Sequence, residues 1–113
     1  MMDNELQPSV LVVLTNLPDR DLAERLASEL VERRLAACVN ILPACTSVYR
    51  WESAIETEEE VPMLIKTTHE RYPEVERAII ASHPYTLPEV IAIPVRSGLS
   101  GYLAWIAAEV SAE

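Results

Sequence analysis

Two histidines and two cysteines are the softest ligands in the chain, and their positions limit what they can do. His83 stands directly before Pro84 and Tyr85, and a residue ahead of proline is driven into extended backbone. An imidazole fixed in this way suits a divalent transition metal or a proton equilibrium near neutral pH; equally, it can hydrogen-bond a neighbour and hold its loop. His69, among polar residues at a strand-to-helix junction, reads as a solvated surface side chain. Cys38 and Cys45 lie seven positions apart, which extended backbone turns into roughly 23 Å. A disulfide needs Cα atoms within about 7 Å, so the two thiols are not expected to bridge. Their spacing fits no zinc-ligand pattern either. Cys38 reads as a small core residue. Cys45, just past Pro43, is a structural thiol or a metal-binding or reactive one.

Oxygen donors come next. Glu56-Thr57-Glu58-Glu59-Glu60 is an acidic run that could hold a hard cation, but it lacks the spacing of an EF-hand loop and reads equally as a charged, solvated hairpin. Tyr49, Trp51, Tyr85 and Trp105 are four of the six aromatics in a chain without Phe. Each has a polar tip that wants a partner when buried, which suits a subunit interface or a cleft as well as ordinary core filling. No Gly-x-Ser-x-Gly, Gly-rich phosphate loop or His-Glu-x-x-His is present, and the chain has only two Gly. No nucleophile stands beside a base, so catalysis is not expected.

Charge narrows the partners further. Eighteen acidic residues against nine basic ones leave a net charge of −9. Binding a duplex needs a positive footprint to release phosphate counterions, so neither nucleic acid nor an anionic membrane is an expected partner. No apolar run approaches the ~20 residues that span a bilayer. The acidic start Met-Met-Asp-Asn-Glu-Leu is unlike a secretory signal, and two cysteines suit a reducing compartment, so a cytoplasmic location is expected.

The elements that must position these residues follow from hydrophobic period. Residues 1–8 are polar and read as a loose arm, leaving 9–113 as one domain. Ser9–Asn16 is apolar and β-branched, one buried strand long. Leu22, Leu26 and Leu30 recur every four residues behind the capping candidates Asp19 and Asp21, predicting a helix from Asp19 to about Leu35. Ala36–Glu52 returns to strand character, with a bend or bulge at Pro43. A turn is expected over Ser53–Ile55, and Val61–Thr68 reads as the next strand. Glu70–Ser82 predicts a helix with Pro73 in its first turn; Pro88–Val95 predicts a short strand, and Tyr102–Val110 a final helix. The order β-α-β-β-α-β plus a helix is that of the ferredoxin-like α+β sandwich, with helices on one face of an antiparallel sheet. The second and third strand segments, up to ~14 residues long, exceed the usual 5–6. Strands of that length with aromatic tips predict self-association.

Five blocks in register carry a resemblance. Leu35-Ala36-Ala37-Cys38-Val39-Asn40, Thr46-Ser47-Val48-Tyr49-Arg50-Trp51-Glu52, Glu60 to Thr68, His83-Pro84-Tyr85-Thr86-Leu87-Pro88-Glu89 and Tyr102-Leu103-Ala104-Trp105-Ile106 closely resemble the CutA family of divalent-cation tolerance proteins, from about Val10 to Ala108. The resemblance implies a ferredoxin-like fold and a PII-like homotrimer in which long strands reach neighbouring subunits. It also implies divalent-metal binding, copper(II) first, through a Cys at the end of the first strand and two consecutive His before Pro-Tyr. Those positions are Thr15, Ser82 and His83 here, so one of the three ligands is kept. Ser53-Ala54 replaces the family's Gly-Lys-like turn, and Thr86 stands where Glu or Gln often follows the Tyr. The expected function is therefore a cytosolic homotrimer binding divalent metal, with His83 a ligand and Cys45 and acidic groups as helpers. The alternative is a PII-like regulatory module that takes a small anionic or metal-bound ligand in an intersubunit cleft near Tyr49, Trp51, Tyr85 and Trp105, and signals to a partner protein.

Overall fold

A computed structural model describes residues 8–111. The arm expected over 1–8 lies, Pro8 apart, outside the described residues, as do positions 112–113. Five strands and three helices follow the order β1 (Val10–Leu17), α1 (Arg20–Glu32), β2 (Cys38–Ile41), β3 (Cys45–Trp51), β4 (Ala54–Thr68), α2 (Tyr72–Ser82), β5 (Val90–Pro94) and α3 (Ser100–Glu109). The sheet runs β2-β4-β1-β5 with every pairing antiparallel, and β3 continues beside the first half of β4. This is the ferredoxin-like arrangement with an added helix, as the element order implied.

Period-two alternation divides the sheet into two faces. Val13, Leu17, Val61, Met63 and Ile65 point one way and pack under Ala23, Leu26 and Leu30 of α1 and Val75, Ala78 and Ile79 of α2. The Asp19 carboxylate accepts from the Leu22 N–H at 2.8 Å and starts α1. Arg34, at φ 59°, ends it: Leu35 N–H reaches back to the Leu30 carbonyl and Arg34 N–H to that of Val31. This is a Schellman closure made without glycine, and it stops the helix before the Leu35 that periodicity suggested. Pro73 takes the first turn of α2, where its missing N–H is harmless.

The opposite face is covered only at one end. There Leu103 and Ile106 of α3 pack on Val10, and Lys66 Nζ sits 5.9 Å from the centre of the Tyr102 ring. Beyond α3, Leu14 and Leu64 are half-buried, while Ile91 and Ile93 are 50% exposed.

Between β2 and β4, three boundaries differ from the sequence expectation. Ala36–Glu52 is not one strand: the chain leaves the ladder over Leu42-Pro43-Ala44, because Pro43 has no N–H to donate, and it resumes as β3. Arg20 straps the bend by donating to the Leu42 carbonyl at 2.8 Å. The hairpin turn is Glu52-Ser53, both at positive φ (50° and 71°), rather than Ser53–Ile55. The acidic run belongs to the interior of the 15-residue strand β4 instead of preceding it. β3 and the first half of β4 thus form a two-stranded arm that leaves the four-stranded sheet.

Candidate functional site

Where the arm leaves the sheet, a cleft of about 960 Å³ opens between the arm and the 84–89 loop that links α2 to β5. Register decides what lines it. Cys45 faces Glu60, Ser47 faces Glu58 and Tyr49 faces Glu56 across the arm. Antiparallel partners share a face, so the spacing of Glu56, Glu58 and Glu60 puts three carboxylates on the side that also carries Tyr49 and Trp51. The loop supplies Tyr85, Leu87 and Glu89. No Lys, Arg or His lines the cleft.

Asn16, the polar residue near the end of β1, ties the two walls together. Its Nδ2 donates to Glu89 Oε1 at 2.9 Å and to Glu60 Oε1 at 3.3 Å. Glu60 is 8% exposed, and none of the ion pairs among the described residues includes it. The negative field shows in the phenols. Burial, then Glu60 and Glu58, push the Tyr85 hydroxyl above the usual tyrosine value. Desolvation, then Glu58, Glu56 and Glu60, do the same to Tyr49. Each carboxylate disfavours a phenolate beside it.

His83 is buried at the foot of the loop with both ring nitrogens engaged. Nε2 lies 2.5 Å from the Asn16 carbonyl, which can only accept, so Nε2 carries the proton. Nδ1 then accepts the Tyr85 N–H at 3.2 Å. The tilted His83 and Tyr85 rings are 4.6 Å apart. The imidazole therefore fastens the loop to β1, and neither nitrogen offers a free lone pair to a metal. Thr15 points into the helix-covered core with its Oγ1 unpartnered, and Ser82 is half-buried at the end of α2. Two hydroxyls beside a committed imidazole do not fit copper, which prefers imidazole and thiolate.

Cys45 is half-buried, 3.8 Å from Ser47 Oγ and across the ladder from Glu60. Both cysteines are free, as their separation implied. Trp105 does not line the cleft; it stacks on Tyr102 in α3 with centroids 5.6 Å apart. Among the described residues, no three His, Cys, Asp or Glu side chains are grouped so as to hold a metal ion. The sequence reading missed Asn16, Glu60 and Glu89 as the linked unit. The even spacing of the three glutamates was the visible signal.

The sequence matches the family described as CutA1 divalent ion tolerance protein over residues 11–109. The chain is 44% identical over 95 residues to the divalent-cation tolerance protein CutA of Thermus thermophilus, an alignment covering 84% of this chain and 92% of the relative. Against the mouse protein CutA it is 42% identical over 87% of its own length and spans 55% of that longer chain. Among solved structures, CutA1 of the psychrotrophic bacterium Shewanella sp. SIB1 superposes with a TM-score of 0.87 at 45% identity, covering 91% of this chain and 96% of the other. A family match over nearly the whole chain, with the same fold at this identity, is decisive: the chain belongs to the CutA1 divalent ion tolerance family.

Proposed function

We propose that the chain contributes to divalent-cation tolerance as a cytoplasmic homotrimer that binds divalent cations at the acidic cleft and carries out no catalysis. The observation that supports this most directly is Glu60, a buried carboxylate with no cationic partner, in a cleft with three further glutamates and no basic side chain. Carboxylate oxygens suit Mg(II) and Mn(II) class ions better than copper, and Cys45, opposite Glu60, is the softer donor within reach of the same wall. His83 joins as a ligand only by giving up a hydrogen bond to Asn16 or Tyr85. Among the described residues of one chain no three donors are grouped, so this reading takes the remaining donors from other copies in the assembly.

The test is calorimetric titration of Mn(II) and Cu(II), with mass measured by light scattering. The expected result is a trimer whose Mn(II) binding is saturable, weakened by Glu60→Gln and kept by His83→Ala. A trimer with no saturable binding of either ion sinks the metal reading, and loss in His83→Ala alone returns the site to the imidazole. A second reading, a PII-like trimer that takes a small ligand and signals to a partner, is favoured by the volume of the cleft, which is far larger than an ion. The carboxylate walls of Glu56, Glu58, Glu60 and Glu89 repel an anionic ligand.

A further inference from the structure

We infer that the cleft between the β3–β4 arm and the 84–89 loop is a binding site for a small organic ammonium ion. This goes beyond divalent-cation binding and gives a chemical class to the ligand of the second reading, on which it rests. Three observations carry it independently. The first is Glu60, more than nine-tenths buried, whose neighbours among the described residues are the neutral Asn16 amide, which donates to it, and the Tyr85 phenol rather than a cation. A carboxylate removed from water without a counter-charge is costly, and a ligand bearing positive charge relieves that cost. The second is the wall chemistry. Tyr49, Trp51 and Tyr85 bring three aromatic rings to the same cavity, and aromatic faces attract alkylated ammonium groups that a small hydrated ion would not leave water to meet. The third is size and spread. About 960 Å³ accommodates a molecule. Glu56 and Glu58 on the arm and Glu89 on the loop surround a larger body of diffuse charge.

The probe is benzyltrimethylammonium, followed by tryptophan fluorescence in a Trp105→Phe background that leaves Trp51 as the reporter, since the chain has two Trp. Neutral benzyl alcohol and anionic benzoate are the comparison ligands. The expected result is a saturable change with the ammonium, at least about tenfold tighter than with the alcohol, and none with benzoate. Glu60→Gln should weaken the ammonium and narrow that ratio. Glu58→Gln, an exposed site with little bearing on folding, should do so to a lesser degree. Circular dichroism on each variant confirms the fold. If alcohol or benzoate binds as tightly as the ammonium, the cleft remains a ligand site but the ammonium class is overturned. If no probe gives a saturable change, the ligand reading falls with it. Divalent binding is measured separately by calorimetry, so its failure leaves this result standing.

Discussion

At the scale of single residues, His83 and Thr15 show how position alone misleads. His83 is attractive as a ligand because it is one of two histidines and precedes a proline. Its role is set by the Asn16 carbonyl, 67 positions away in the chain, a contact no local pattern reveals. Thr15 stands where the family resemblance calls for a thiolate, yet its hydroxyl is buried at 1% exposure with no partner. A buried polar atom left unpaired loses its hydration for nothing in return. Thr15→Val, which keeps the branched shape and removes the orphan, should therefore stabilise the fold by about 1 kcal/mol. Urea denaturation at fixed protein concentration measures it; a loss of stability would show that the hydroxyl has a partner after all.

Among elements, the β3–β4 arm is the instructive case. Its turn places Glu52 and Ser53 at positive φ, as a two-residue type I′ hairpin turn requires at both central positions. L-residues other than Gly, Asn and Asp are disfavoured there. Ser53→Gly should accordingly raise stability by about 0.5–1 kcal/mol, read from the same denaturation curves. An unchanged or lower midpoint would mean that the Ser53 side chain compensates for its backbone. With no Asn-Gly or Asp-Gly at this position, the sequence alone does not mark the turn. Elements with their own period were legible: β1 by its continuous apolar run, α1 by its leucines, the first turn of α2 by Pro73. The acidic half of β4 was not, because Glu has poor strand propensity. Those residues are held as strand by non-local pairing with β3. The candidate site inherits that difficulty, since its carboxylates and aromatic rings meet only once the arm is paired.

For the molecule as a whole, the question is what covers the sheet face that α3 leaves bare. Ile91 and Ile93 of β5 are half exposed, beside the half-buried Leu14 and Leu64. The arm carries Val48 and Ile55 at 67% and 60% exposure with no helix over it. A lone two-stranded ribbon is marginal in water, and exposed apolar surface of this kind marks an interaction site. Association of copies, as in the proposed homotrimer, would cover both the bare sheet face and the arm. Ile93→Glu places a charge on the edge strand of that face and should lower the mass seen by light scattering at micromolar concentration to that of smaller species. Val31→Glu, at a 44% exposed site on α1, is the matched control and should leave the mass unchanged. Persistence of the full assembly in Ile93→Glu would place the contact elsewhere. Dissociation accompanied by weaker Mn(II) binding would show that the sheet face and the cleft depend on the same neighbours.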